Sequence, residues 1–266
     1  MESLSIPHDN VVPISEVAPG ICGLRIVFVN VFGVSHGAGI WTLVDAGMPF
    51  SASYIRNWAA KQFGGPPEAI VLTHGHFDHV SGARELADEW QVPIYAHLQE
   101  FPYLTGLEAY PAPNVGADDG MMSWLSPLYP RGPVDLADWL RPFTESEAGD
   151  GAALPGWRIL RTPGHTRGHV SFFRPSDRVL LAGDAFCTTK PESFFEAAVA
   201  QKPELHGPPG HFTWNSELAA ASIERLAALQ PEVVAPGHGH PLAGAEVAIR
   251  MSRFAQEIAV SKRTAA

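Results

Sequence analysis

Apolar positions in the first part of the chain form short runs rich in Val, Ile and Phe, broken by Gly. This pattern predicts strands over 11–17, 21–34 and 40–44. After Asp45-Ala46-Gly47 the period changes, and 51–63 reads as a helix stopped by Gly64-Gly65-Pro66-Pro67. A short apolar strand at 69–73, a helix over 80–90 and a strand at 92–96 follow. Strand, loop, helix, strand is the order of an α/β protein. The carboxyl-terminal part repeats it, with strands at 157–161, 170–174, 178–182 and 232–235 and a helix at 217–229. In the last helix Val247, Met251, Phe254 and Ile258 fall on one face. Between these parts, 101–150 mixes Pro, Gly and aromatics without a clear period, and reads as an insertion or lid within one domain spanning 1–266.

Composition narrows the choice of partners. The 266 residues are 45% hydrophobic and 17% charged, enough apolar material for a sizeable core. The formal net charge of −10 repels phosphate backbones and anionic lipid, so neither nucleic acid nor a membrane is the expected partner. Two cysteines, Cys22 and Cys187, make no disulfide framework and no thiolate zinc cluster, although one bridge between them stays open. Met1 to Asn10 lacks the pattern of a signal peptide, and no run of 18 apolar residues occurs. A cytoplasmic protein acting on a small molecule is the expectation.

The chemistry concentrates where strands end. Thr73-His74-Gly75-His76-Phe77-Asp78-His79 follows the 69–73 strand, and side chains two apart in extended chain point the same way. His74 and His76 can therefore reach one ion, while Asp78 and His79 sit where the chain turns into a helix. Thr162-Pro163-Gly164-His165-Thr166-Arg167-Gly168-His169 again sets a His after a strand and a turn. Leu181-Ala182-Gly183-Asp184 ends a strand with a carboxylate, and Pro236-Gly237-His238-Gly239-His240 ends another with histidines. Imidazole and carboxylate together suit Zn, Mn or Fe.

HxHxDH, a Pro-Gly-His, a Gly-Asp after a strand and a Pro-Gly-His-Gly, in that order, resemble the metallo-β-lactamase superfamily over about 11–245. The resemblance implies a four-layer αβ/βα sandwich, with two mixed β-sheets between helices and a dinuclear metal site at one edge. It implies that His74, His76 and His165 hold one cation, that Asp78, His79 and His238 hold the other, and that Asp184 bridges them. Asp45 matches a position that supports a metal-binding histidine from behind. His169 and His240 have no ligand role in the matched pattern and are expected behind the ligands or as structural residues.

The activity so implied is that of a hydrolase. Two divalent cations, Zn2+ first with Mn2+ or Fe2+ as alternatives, would share a bridging hydroxide that attacks the carbonyl of an ester, lactone or thioester. Asp78 and Asp184 are the expected catalytic carboxylates, Asp78 orienting the nucleophile. Tyr103, Tyr110, Met122, Trp124 and Tyr129 in the irregular segment, with His206 and His211 in 205–212, are the expected substrate wall. The aromatic segment reads alternatively as a homodimer contact. Two other activities share the motif: a mononuclear iron persulfide dioxygenase-like oxidoreductase, and a phosphodiesterase or nuclease, which the acidic charge and lack of a basic cluster disfavour.

Overall fold

A four-stranded antiparallel meander, followed by three strands parallel to its last, accounts for the strands of the amino-terminal pattern. The computed structural model describes residues 6–116, 120–132, 134–143, 153–193, 195–200 and 202–265, so parts of the expected lid lie outside it. The described chain divides into two compact units, one of 1–110, 130–144 and 151–155, the other of 111–129, 145–150 and 156–266.

The first unit is built on a seven-stranded mixed sheet whose strands stand side by side in sequence order. These are β1 (Val11–Ala18), β2 (Ile21–Ile26), β3 (Val29–Gly37), β4 (Ile40–Val44), β5 (Ala69–Val71), β6 (Ile94–Ala96) and β7 (Leu140–Pro142). The stretch 21–34, which reads as one strand, is a hairpin: Val27 takes φ 60° and turns the chain, with Ile26 opposite Val29. A valine at such a turn gives no sequence signal, because its branched side chain disfavours that conformation. β1 to β4 pair antiparallel, and β4 to β7 pair parallel.

The helices of this unit are α1 (Ala52–Phe63), α2 (Phe77–Val80), α3 (Ala83–Trp90) and α4 (Phe101–Leu104). Ile55 and Trp58 of α1 are buried, and Phe63 stacks on Trp41 of β4 with ring centroids 4.1 Å apart. The helix predicted over 80–90 starts later, at Ala83, and Ser81-Gly82 separates it from α2. The break follows from packing. A Cβ on Gly82 would lie 2.4 Å from the Ala46 carbonyl oxygen, so only glycine lets the turn after β4 come this close.

The second unit holds α5 (Met121–Leu125) and a five-stranded mixed sheet of β8 (Arg158–Arg161), β9 (Val170–Arg174), β10 (Val179–Gly183), β11 (Val233–Pro236) and β12 (Leu242–Ala243), again neighbours in sequence order. Its helices α6 (Ser216–Ala227) and α7 (Val247–Ala265) share a core with the sheet. Val247, Met251 and Phe254 of α7 enter this core beside Leu180, Phe186 and Ile223, and Ile258 packs at its edge. Burying each such side chain contributes roughly 1.5–3 kcal/mol. Asn215 caps α6 by accepting from the Leu218 amide at 2.9 Å. No described helix is long and apolar enough to cross a membrane, and both cysteines are free thiols.

Candidate functional site

Strand direction decides which side chains meet. In the first unit β4, β5 and β6 run parallel, so Asp45, the His74–His79 stretch and Glu100 all follow strand ends at one edge of the sheet. In the second unit β9 is antiparallel to both β8 and β10, while β10 and β11 are parallel. β8, β10 and β11 therefore point one way, and His165, Asp184 and His238 follow their carboxyl ends. That edge is where α/β sheets gather ligands.

In the first unit Asp45 organises the cluster. It is buried with φ 61°, and its carboxylate accepts from the Thr73 amide at 2.8 Å, from the Thr73 hydroxyl at 2.9 Å and from His79 Nδ1 at 2.8 Å. Three donors offset the cost of burying this charge. They also fix two tautomers. The one Thr73 proton goes to Asp45, so His74 Nδ1, 3.0 Å from that hydroxyl, carries a proton and donates it. His79 Nδ1 likewise donates to Asp45. In both rings the lone pair is left on Nε2, the state a metal ligand requires. His74 Nε2 lies 3.1 Å from His76 Nδ1. Two nitrogens bound to one zinc at 2.0–2.1 Å and a tetrahedral angle would sit about 3.3 Å apart, so the pair fits a shared cation. Asp78 Oδ2 is 3.9 Å from His79 Nε2.

Glu100, which the sequence reading passed over, is fully buried beside this loop. Its Oε2 accepts from the Gly75 amide at 3.0 Å and from the Tyr110 hydroxyl. The Gly75 amide is shared with the Tyr110 oxygen, also at 3.0 Å. Burial, and then the negative Glu100, push the Tyr110 hydroxyl well above the ordinary tyrosine range. Tyr103 stacks on Tyr110 at 3.9 Å, and the Tyr110 ring lies 4.5 Å from that of His76. Two of the three tyrosines expected in the substrate wall, Tyr103 and Tyr110, are thus buried, and Tyr110 meets the loop through its hydroxyl.

In the second unit one carboxylate oxygen, Asp184 Oδ2, is 3.0 Å from His238 Nε2 and 3.5 Å from His165 Nε2. The Thr213 hydroxyl donates to the Pro209 carbonyl at 2.8 Å and stands 3.5 Å from His165 Nδ1, which turns the other nitrogen toward Asp184. His169 works on the backbone. Its Nε2 accepts from the Asp184 amide at 2.8 Å, so its Nδ1 carries the proton and donates to the Thr162 hydroxyl at 2.8 Å. Thr162 continues to Ser171 Oγ at 3.0 Å, and Ser171 donates to the Ala182 carbonyl at 2.8 Å. This chain links the amide of Asp184 to the carbonyl two residues before it. His240 differs from His169: its ring is exposed, and its carbonyl accepts from Thr188 Oγ1 at 2.6 Å.

The remaining expected substrate residues belong to the second unit. Met122 is buried and accepts from the Tyr129 hydroxyl at 3.2 Å, and Tyr129 lies 6.1 Å from the Phe212 ring. The His211 carbonyl takes the Asn114 amide at 2.9 Å, so the two expected walls, the irregular segment and 205–212, are joined. His211 is buried, whereas Trp124 is 74% exposed. His206 is half-buried, with Nε2 4.0 Å from Glu204 and its backbone paired to Cys187.

Comparison with known proteins gives this arrangement a family. The model of the metallo-β-lactamase superfamily matches residues 24–238. Probable metallo-hydrolase YflN of Bacillus subtilis (strain 168) is 43% identical over 233 residues, covering 86% of this chain and 87% of that protein. Probable metallo-hydrolase YybB of the same organism is 31% identical, over 80% of this chain and 82% of its own. Among solved structures, that of TTHA1623 in a di-iron-bound form matches with a TM-score of 0.55 at 28% identity, covering 85% of this chain and 94% of that one.

Proposed function

The chain belongs to the metallo-β-lactamase superfamily and has its fold, and from that premise we propose that it hydrolyses a small ester, lactone or thioester at a pair of divalent cations. In this reading His74, His76 and His165 serve one cation. Asp78, His79 and His238 would serve the second, and Asp184 would be shared by both. Both named Bacillus relatives are probable metallo-hydrolases, which supports a metal-dependent hydrolase as the class. TTHA1623 has been seen with two irons, which supports a pair of cations over one.

The observation that carries the proposal is the tautomer control at His74 and His79. Thr73 and Asp45 occupy both Nδ1 atoms, so both Nε2 atoms keep the lone pair that ligation of a cation requires. Bound divalent cations would supply Lewis acidity and water acidified to near neutral pH. The chain supplies the rest. Asp78 and Asp184 offer carboxylates that orient water and hold protons, and Met122, Tyr129 and Phe212 offer an apolar flank for an uncharged substrate. The net charge of −10 favours such a substrate over a phosphodiester. Zn2+ is the proposed resident ion, and the same donors accept Mn2+ or Fe2+.

Metal quantification on the purified chain, paired with a panel of esters, lactones and thioesters, tests this. Two divalent ions per chain and chelator-sensitive hydrolysis on the panel are expected. One iron per chain with no hydrolysis would move the protein to the persulfide dioxygenase-like reading and end this one.

A further inference from the structure

We infer that Glu100 and Tyr110 form a buried clasp that positions the His74–His76 pair, and that the pair's affinity for its cation depends on it; this rests on the reading that these two histidines share a cation.

The geometry starts from one peptide. The Gly75 amide belongs to the peptide plane joining His74 to Gly75, and two oxygens hold it, Glu100 Oε2 and Tyr110 Oη, each at 3.0 Å. The Tyr110 hydroxyl donates to Glu100 in turn, so the three groups close a ring. Holding that plane fixes the direction in which His74 leaves the chain and, one residue later, the start of His76. The 3.1 Å separation of His74 Nε2 and His76 Nδ1 is the quantity it sets. The ring of Tyr110, 4.5 Å from that of His76, limits the same side chain from another side.

Position 75 shows how closely the clasp fits. A Cβ there would lie 2.5 Å from the Tyr110 oxygen and 3.0 Å from Leu104 Cδ2, so glycine is required for the hydroxyl to reach the amide. Glu100 is delivered by a local device. His97, directly after β6, accepts the Gln99 amide at 3.1 Å and caps a single 3-10 turn, Leu98–Glu100, which brings the carboxylate under the loop. A fully buried carboxylate is costly to keep, and charge-assisted hydrogen bonds to an amide and a phenol offset that cost. Both groups are buried and act through the Gly75 peptide, so both are positioning residues.

The test uses the full chain, stripped of metal and titrated with Co2+ alone, with the Co2+ absorption spectrum and affinity as readouts and thermal unfolding of the metal-free form as a control. Glu100→Ala is expected to weaken binding at the His74–His76 ion about 10-fold or more, the usual cost of losing a group behind a ligand. Glu100→Gln keeps an acceptor for the Gly75 amide and should recover part of that loss. Tyr110→Phe removes one of the two acceptors and should fall between Glu100→Ala and the parent. Parent affinity and spectrum in both Glu100→Ala and Tyr110→Phe would overturn the clasp, as would a fall in apo stability alone with affinity intact. If Glu100→Ala does not fold, Glu100→Gln and Tyr110→Phe decide by the same criterion. His74→Ala separates the two claims: if it leaves the Co2+ spectrum unchanged, the shared cation itself is wrong; if it abolishes the signal while the Glu100 variants behave as the parent, only the clasp is.

Discussion

Asp45 Oδ2 stands 2.8 Å from His79 Nδ1, and both side chains are almost wholly shut off from solvent. The pair joins the turn after β4 to α2, and it determines which nitrogen of His79 keeps its lone pair. Asp45→Asn tests the charge apart from the backbone, because asparagine tolerates the φ of 61° found there. Metal bound after exhaustive dialysis should fall for one of the two proposed ions, with affinity lower by about 10- to 100-fold. Parent-like retention of both would show that Asp45 is only a turn residue.

Substitution of the proposed ligands themselves gives the coarser check. His74→Ala and Asp184→Asn should each lower the metal content per chain and remove hydrolysis of whichever panel substrate the parent cleaves. Unchanged metal content and turnover in either would break the assignment of that residue.

The Ala46 turn is held against α3 at contact distance, so Gly82→Ala should destabilise the protein by about 1–3 kcal/mol, through overpacking against a backbone carbonyl. Denaturant unfolding reads this as a lower midpoint at constant slope. A midpoint equal to the parent's would mean that the 45–47 turn yields freely, and Asp45 with it.

His169 and Thr162 belong to one hydrogen-bonded chain ending on the Asp184 amide, so their effects should not add. His169→Ala and Thr162→Val are each expected to weaken metal binding, and the double variant to be little worse than His169→Ala alone. Strict additivity in a titration of the four proteins would argue that the two residues act separately.

Burial pushes the Cys22 thiol up to about 11, and Cys187 is fully buried. At pH 8 the folded protein then holds about one Cys22 in a thousand as thiolate. The folded state favours the protonated thiol. Its contribution to stability is therefore complete below the ordinary thiol value of 9.0 and is lost as pH rises toward 11. An aromatic disulfide reagent at pH 8 should label Cys22 about 100-fold more slowly than an ordinary thiol, and the buried Cys187 only after denaturant is added. Rapid labelling of Cys22 in the native protein would contradict the raised value.

What the sequence disclosed, it disclosed through short-range rules. Strand ends followed by His or Asp were visible at His74, His165, Asp184 and His238 because ligand-type residues cluster after apolar runs. The stripe Val247, Met251, Phe254 marked the buried face of α7 by its spacing alone. Three features stayed hidden for physical reasons. The Val27 turn uses a residue type that turns avoid. Glu100 sits in an unremarkable Leu98-Gln99-Glu100 stretch, and its importance comes from a contact 25 residues away in the chain, to Gly75. The route from Asp184 through His169 to Ser171 depends on hydroxyl directions that no spacing encodes, although a threonine near each His cluster, Thr73 and Thr162, was a legible hint.

Both sheets place every strand beside the one made just before it, from β1 to β7 and again from β8 to β12. During synthesis each strand therefore emerges with its partner already present, and none has to be wedged between two older ones. Where the connections are short, from β1 to β4 and from β8 to β10, such an order keeps the search for partners local and favours early pairing of those strands as they leave the ribosome.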